Sequence, residues 1–349
     1  MSNVVSLGLP RRPALADRQA LLLHNFACNR RSPDDVFWLK ENAEVLNVLA
    51  SSGATLSEAA LVPYERVYQG LEERLRFFPQ YYRFLLSICL DLEDLGIDGD
   101  KGASLCQWVA EMGLVEAELS DLQRAEAYRL MARREVKADE EALWNRLHAF
   151  VDRSETFALP NKKATYELTH IVFYLSDYGV TNPHLGEQAI ASLEYAGLLA
   201  FLDQDIDLLA EICVAMRFAG QVPSDIWENW IAQEMGGFVL APNGNGAGDC
   251  YHEYLVTSWW AQLTGRSSFP GIPSAQGLHV RRHTGRKGPL RAMSEYMFHL
   301  GPARSRNWAQ MRDGMAEAVG SEGVEILSGA EQSSERFSAF FEDFSRAEV

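Results

Sequence analysis

Glycines recur in this sequence at intervals of about 42 residues, each at the end of an apolar helical segment. The gap between Gly96 and Gly179 is 83 residues, close to twice that interval, and predicts a degenerate unit that ends near 136–138. Glycine suits these places because it adopts the left-handed conformation that ends many helices without a Cβ penalty. The series therefore predicts a repeating unit, and its members are Gly53, Gly96, Gly179, Gly220, Gly265 and, extending it, Gly301.

The segments before these glycines have apolar residues at three- and four-residue steps, which indicates amphipathic or buried helices. Thr165–Gly179 (TYELTHIVFYLSDYG) and Ile206–Gly220 (IDLLAEICVAMRFAG) are examples. No run shows the alternation of a strand. The segments with helical periodicity are 36–50, 61–95, 104–115, 141–151, 165–178, 186–201, 206–219, 225–234, 251–263 and 291–300.

Each unit has room for a second helix, and one helical hairpin cannot bury its own apolar face. The sequence therefore predicts an all-α fold of stacked helical hairpins, with about seven units. An α/α toroid is the preferred arrangement because the repeated helices are apolar nearly all round, as an inner ring would be. An open HEAT-like solenoid is the alternative, and chance spacing of helix-ending glycines is a third explanation.

The domain organisation follows from the same pattern. We expect a flexible arm over residues 1–14, a single helical-repeat domain over 15–326 with a weak subdivision near 135–160, and a peripheral segment over 327–349. Two stretches rich in glycine, 236–248 and 266–290, interrupt the helices as long loops. Such loops are uncommon inside compact helical arrays and are often functional.

The charge of the chain limits its partners. The 48 acidic and 32 basic residues give a formal charge of −16, which argues against nucleic acid and anionic membranes as partners. The chain lacks 18 consecutive apolar residues and a secretory signal, and its five cysteines include no CxxC pair. These features predict a soluble cytoplasmic protein with reduced thiols.

His170, Tyr174 and Asp177 lie on one predicted helix at spacings that place them on the same face. Asp177 falls in the last turn, where the helix dipole disfavours an acid, so some other interaction should compensate. One interpretation is a histidine and a carboxylate that face a cavity for acid–base chemistry. The other is a core histidine with a structural aspartate, which Asp94 in the matching place before Gly96 favours.

Asp249, Cys250 and His252 form a second group, in which every side chain can bind zinc. Cys250 and His252 point to different sides of a helix, so a metal site would need a ligand from another unit. Asp249 could instead cap the following helix by accepting hydrogen bonds from the amides of Tyr251 or His252. The group predicts either a zinc site or a helix start with one functional histidine.

A basic segment between Arg266 and Arg312 contains nine cations and one acid, a local charge of +8. Arginine recognises phosphate and carboxylate groups well, so this segment is a candidate for binding an anionic substrate. It could equally pair with acidic helices of its own chain, such as 203–211. The candidate binding residues are Arg281, Arg282, Arg286, Lys287 and Tyr251.

Two resemblances bear on these groups. Phe26–Leu49, with Glu167–His170 and Phe173–Gly179, resembles an uncharacterised bacterial family of the Rhodobacter group of alphaproteobacteria, which implies no activity. Asp249–His252 is similar to the segment by which protein prenyltransferase β-subunits present a zinc-binding histidine on an α/α toroid. The layout of helices, cavity and zinc also resembles that of lanthionine cyclases. The prenyltransferase pattern further needs an Asp and a Cys from another hairpin. Cys213 is the only cysteine in a neighbouring unit.

Two functions are consistent with these observations. The first is an enzyme that acts on a small or peptidic anionic substrate in a central cavity, where His170, Tyr174, Asp177 and His252 provide acid–base or metal-assisted chemistry. Zinc is the candidate cofactor, held by Asp249, Cys250 and His252. The second is a helical scaffold for protein interaction, in which the histidines are structural.

Overall fold

The fold is all-α, as predicted, with one small sheet. A computed structural model describes residues 14–136, 141–242, 248–283 and 285–347. Antiparallel strands β1 (Phe238–Ala241) and β2 (His279–Arg282) pair with each other. The helices are α1 (Leu15–Cys28), α2 (Val36–Ser51), α3 (Glu58–Leu61), α4 (Glu65–Phe77), α5 (Tyr82–Asp94), α6 (Lys101–Glu111), α7 (Asp121–Ala132), α8 (Glu141–Val151), α9 (Ser154–Phe157), α10 (Lys162–Leu175), α11 (Glu187–Asp203), α12 (Ile206–Phe218), α13 (Asp225–Met235), α14 (Tyr251–Leu263), α15 (Leu290–Leu300), α16 (Trp308–Ser333) and α17 (Phe337–Ser345).

Six helices contact one another in a closed cycle. α2 packs on α5, α5 on α7, α7 on α10, α10 on α12, α12 on α14, and α14 again on α2. Five of them end just before a glycine of the series, and α7 ends at Ala132, near the end of the degenerate unit. The spacing thus marks one helix of each pair. Gly301 follows α15, which packs on α11 and α16 outside this cycle.

Helices of the second set pack against this ring: α1 on α2, α4 on α5, α8 on α10, α11 on α12 and α13 on α14. Each sits beside the ring helix that neighbours it in sequence, as expected for helical hairpins. The apolar residues of both sets form one continuous hydrophobic core. Removal of this apolar surface from water is the main source of stability for such a fold.

The ring helices run in a common direction. The ends of α2, α5 and α7 and the turn after α10 line one pocket. The amino-terminal halves of α10, α12, α14 and α2 are joined by side-chain hydrogen bonds, such as that from Tyr251 to Glu44. We call these two places the carboxyl end and the amino end of the ring.

An aromatic layer lies between the two ends. Phe173 contacts His170 on one side, with ring centroids 5.6 Å apart, and Trp259 on the other, at 5.1 Å. Tyr178 stacks on Phe173 at 5.7 Å, and Phe218 packs edge-on against Trp259 at 5.5 Å. These contacts join α10, α12 and α14 between His170 of the amino end and Tyr178, which lines the pocket of the carboxyl end.

Gly179 shows why glycine ends a ring helix. Its φ is +89°, and a Cβ atom there would lie 2.5 Å from the Phe218 ring. Gly220 also has a positive φ, of +73°, but a Cβ atom there would meet open space. Conformation alone therefore requires glycine at Gly220, whereas Gly179 also allows the close approach of α12.

Several predicted boundaries are wrong. The stretch 61–95 is two α-helices, because Pro79 begins a short 3-10 turn between α4 and α5. α7 and α16 were not predicted, and the two strands lie in the stretches expected to be loops. α17 buries Phe337, Phe340, Phe341 and Phe344 in the common core. None of the helices in the described ranges is long and apolar enough to cross a membrane.

Parts of five sequence predictions lie outside the described residues. They are residues 1–13 of the expected arm, 137–140 of the weak subdivision, 243–247 of the first loop, 284 of the second loop and 348–349 of the peripheral segment.

Candidate functional site

Glu211 lies at the centre of a cluster at the amino end of the ring. Its carboxylate is 3% exposed and accepts a hydrogen bond of 2.6 Å from the hydroxyl of Thr169. His170 Nδ1 lies 3.8 Å from Glu211 Oε2, and His252 Nε2 lies 3.8 Å from Glu211 Oε1. α10 and α14 thus bring the two predicted histidines to opposite oxygens of one buried carboxylate on α12.

His252 is held by a second carboxylate of α12. Its Nδ1 lies 2.8 Å from Asp207 Oδ1, and the hydroxyl of Tyr166 donates to Asp207 Oδ2 at 2.7 Å. Burial opposes protonation of His252, but the charge of Asp207 and its hydrogen bond outweigh burial and raise the pKa to about 10. His252 is therefore an imidazolium at neutral pH. We call Tyr166, His170, Asp207, Glu211 and His252 the histidine cluster.

The two carboxyl groups of the cluster have pKa values shifted in opposite directions. Burial raises the pKa of Glu211, and the nearby histidines only partly offset this effect. Burial also acts on Asp207, but there the charge and hydrogen bond of His252 prevail and lower the pKa. Two carboxyl groups with divergent proton affinities, one turn apart, are typical of acid–base sites.

His170 has a defined tautomer. Its Nδ1 lies 2.8 Å from the backbone carbonyl oxygen of Tyr166, which can only accept, so Nδ1 carries the hydrogen. Nε2 is then the nitrogen with a free lone pair when the ring is neutral. The side chain is 35% exposed. His170 can therefore accept a proton from a molecule that reaches the amino end.

Tyr251 lies beside the cluster but faces α2. Its hydroxyl donates to Glu44 Oε2 at 3.0 Å and accepts from Lys40 Nζ at 3.3 Å. Arg30 stacks over its ring, 4.7 Å from the centroid. The charge of Glu44 also contributes to the raised pKa of His252. Tyr251 thus connects the cluster to a row of charged groups on α2.

Tyr174 lies beside His170 as its spacing predicted, but Asp177 does not. α10 ends at Leu175, and Asp177 has a positive φ of 44°, so the expected two-turn spacing from His170 is wrong. Asp177 instead accepts a hydrogen bond of 2.8 Å from Arg129 Nε. This ion pair explains why an acid is tolerated at this helix end. Tyr174 is buried, with its ring 6.1 Å from that of His170, and burial raises its pKa.

Asp249, Cys250 and His252 do not fit a zinc ion. Asp249 uses both oxygens, accepting from the amide of Val280 at 3.1 Å and from Arg30 at 2.8 Å. His252 is engaged by Asp207, and burial raises the pKa of the Cys250 thiol, which disfavours the thiolate that zinc needs. No group of three such ligands gathers anywhere in the described ranges. Cys250, not Asp249, occupies the start of α14, so the capping alternative is also wrong.

The basic segment pairs mainly with its own chain, which was the alternative interpretation. Arg282 binds Glu234 at 2.8 Å and Glu253 at 3.0 Å, and Arg286 pairs with Glu325. These partners differ from the expected acidic stretch 203–211. Arg281 and Lys287 are exposed, and neither contacts the histidine cluster within the part of the chain that the structure describes.

Sequence reasoning missed Tyr166, Thr169, Asp207 and Glu211 as site residues. A signal for the two acids was present, because they lie four residues apart in IDLLAEICVAMRFAG, an otherwise apolar helix. A buried helix keeps an acid only where hydrogen bonds or opposite charges stabilise it. Tyr166 and Thr169 gave no such signal, since both residue types are common on helices of every kind.

The chain was compared with known proteins. Residues 1–347 match the model of a family described as a domain of unknown function, DUF6902. Neither a curated protein nor a solved structure matches the chain. The function must therefore be inferred from the geometry of the site.

Proposed function

We propose that this chain, which belongs to the DUF6902 family of unknown function, is an enzyme that performs acid–base chemistry at the amino end of its helical ring. One observation carries the proposal: two histidines from separate helices flank the two oxygens of the buried Glu211 carboxylate. A structural role alone would not require two partly exposed imidazoles beside one buried acid.

The roles of the two histidines differ in this proposal. His170 takes a proton from the substrate at Nε2, while the Tyr166 carbonyl fixes its tautomer. His252 is a cation held by Asp207 and stabilises negative charge that develops on the substrate. Glu211 lies 3.8 Å from a ring nitrogen of each histidine, and its charge stabilises the protonated form of His252.

The substrate in this proposal is a small anion. His252 is 32% exposed and cationic at neutral pH, and Lys40 lies 2.8 Å from Glu44 on the adjoining face of α2. Burial disfavours the charge of Lys40, but Glu44 outweighs this effect and raises its pKa. The closed cycle of ring helices supports a further part of the proposal, that the domain is an α/α toroid with its site at one mouth.

The test combines turnover with histidine titration. Hydrolysis of the anionic esters para-nitrophenyl phosphate and para-nitrophenyl sulfate is followed for the wild-type chain and for His170→Asn. The loss of a general base lowers kcat/KM by about 100-fold or more. His299→Asn is the matched control, because His299 is exposed on α15 and outside the cluster. We expect its turnover to equal that of the wild type.

Titration by NMR gives a readout that needs no substrate. In Glu211→Gln, we expect the titration midpoint of His252 to fall, because the charge of Glu211 contributes to its raised pKa. The proposal is wrong if Glu211→Gln leaves the midpoint of His252 unchanged and His170→Asn turns over the same probes as fast as the wild type. That result would favour the scaffold function.

A further inference from the structure

A pocket of about 560 Å³ opens at the carboxyl end of the ring. The last residues of α2, α5 and α7 and the turn after α10 form its wall. Among the described residues, its lining has no member in common with the histidine cluster. Its charged residues are Asp91, Asp94, Arg129, Arg133, Arg134 and Asp177, and Asn47 adds a polar side chain.

Arg129 has an unused donor edge in this pocket. Its side chain is only 9% exposed, and its Nε donates to Asp177 at 2.8 Å. The guanidinium carbon lies 4.2 Å from the centroid of the Tyr178 ring, a cation–π contact that restrains the group. Neither of its terminal nitrogens has an acceptor in the described part of the chain. Because the pocket adjoins them, both can donate to a ligand that enters it.

Two other donors in the wall are also unused. Arg133 holds Asp91 at 2.8 Å and Asp94 at 2.7 Å through Nη2, while its buried Nη1 has no partner among the residues described. The side-chain amide of Asn47, on the facing end of α2, makes no hydrogen bond within the same ranges. The pocket therefore offers more donors than its own acceptors use.

The charge of the pocket indicates which acceptor group of a ligand it would bind. Three arginines and three aspartates line it, so its formal charge is zero. The carbonyl ends of the ring helices add partial negative charge, which disfavours a doubly charged anion. A carboxylate carries one charge, and its two oxygens match the planar edge of a guanidinium.

From these observations we propose that the pocket binds the carboxylate group of a small organic molecule. The terminal nitrogens of Arg129 hold the two oxygens, and the amide of Asn47 contacts the remainder of the ligand. The pocket volume leaves room for a ligand larger than the carboxylate itself. This inference is independent of the acid–base site, because it concerns the opposite end of the ring.

The experiment is calorimetric titration of the full chain with the monocarboxylates acetate, butyrate and benzoate as probes. Sodium chloride at matched ionic strength and inorganic phosphate are the comparison titrations. We expect one saturable carboxylate site per chain, with weaker binding of phosphate. Arg129→Lys keeps the positive charge but removes the planar edge, so its affinity falls at least tenfold. Asn47→Ala, which breaks no ion pair, lowers affinity for butyrate and benzoate by a smaller factor.

The control is Arg146→Gln. It removes an exposed arginine that pairs with Asp121 at the opposite end of α7, and its affinity should equal that of the wild type. Absence of saturable carboxylate binding to the wild type overturns the proposal, as does tighter binding of phosphate. Equal affinities in the wild type and in a folded Arg129→Lys variant also overturn it. If that variant does not fold, unchanged affinity in Asn47→Ala decides against the proposal.

Discussion

The two ends of the ring use the same helices for different chemistry. At the amino end, Asp207 lies in the first turn of α12, and at the carboxyl end Arg129 lies in the last turn of α7. Both placements match the helix dipole. The amino end holds histidines, which change charge near neutral pH, whereas guanidinium groups keep their protons at every physiological pH. The histidines of the amino end can therefore exchange protons with a ligand near neutral pH, whereas the arginines of the carboxyl end hold and orient a ligand.

The largest effect should come from breaking the buried ion pairs of the carboxyl end. Arg133→Met leaves the Asp91 carboxylate, which is 1% exposed, without its cation. Loss of one partner of a buried pair costs about 3–5 kcal/mol of the free energy of unfolding. Urea denaturation measures this loss. Arg146→Gln, which breaks an exposed pair, should change stability by less than about 1 kcal/mol.

The next effect is the difference in stability loss between two glycine substitutions at the carboxyl end. It distinguishes the contribution of close packing from that of backbone conformation. Gly179→Ala places a Cβ against the Phe218 ring and forces a positive φ on alanine, at a cost of about 2–3 kcal/mol. Gly220→Ala meets open space and should cost only about 1 kcal/mol, from conformation alone. Thermal denaturation of the two variants tests the difference. Equal losses would contradict the packing role of Gly179.

A smaller effect should depend on pH and arise at the amino end. The pKa of His252 is about 10 in the folded chain and 6.5 ordinarily, so the folded state holds the proton more tightly. The resulting stability is complete below pH 6.5 and is lost as the pH rises to 10. Because the His252 side chain is about one-third exposed, solvent screening reduces this contribution to the free energy of unfolding to about 1–2 kcal/mol.

Urea denaturation at pH 6 and pH 10 measures this contribution. Asp207→Asn removes the charge that raises the pKa of His252, so the difference between the two pH values should shrink. Arg133→Lys, which alters only the carboxyl end and keeps a cation there, should retain the difference. A wild type as stable at pH 10 as at pH 6 would contradict the assignment of His252 as a held cation.

The smallest effect should show how much of the raised pKa of His252 depends on the Tyr166 hydrogen bond and how much on the charge of Asp207. Tyr166→Phe removes one hydrogen bond to Asp207, worth about 1 kcal/mol. Because the charge of Asp207 remains, the titration midpoint of His252 should stay well above 6.5. A midpoint that falls as far as in Asp207→Asn would show that the tyrosine, rather than the carboxylate charge, is decisive.

The glycine series predicted the fold well because a helix end has a local signal. Gly53, Gly96, Gly179, Gly220 and Gly265 each follow a ring helix, and all have positive φ. α7 was missed because it ends without such a glycine and is rich in charged residues. Arg129 in its last turn and Arg133 just after it nevertheless line a pocket.

The site could be predicted only in part, because contacts between helices have no local signal. His170 and His252 were recognised from residue type, but their shared partner Glu211 lies 41 residues from each, on an intervening helix. The direction of the Asp177 side chain was predicted wrongly because each residue of an α-helix turns the chain by about 100°, so a small error in the helix end changes the face on which a side chain lies. Arg282 was a candidate for anion binding or for pairing within the chain, and its partners, Glu234 and Glu253, could not be identified because they are distant along the chain.

The contact between α2 and α14 also bears on how the chain folds during synthesis. Ser52 donates to Gln262 at 2.9 Å across 210 residues, and Arg30 reaches Asp249 across 219. α2, α5, α7, α10 and α12 are made before α14 and can pack on one another as they emerge. The ring can close only once α14 has left the ribosome. Until then α2 and α12 expose apolar faces, so closure is the step most open to aggregation and to assistance by chaperones.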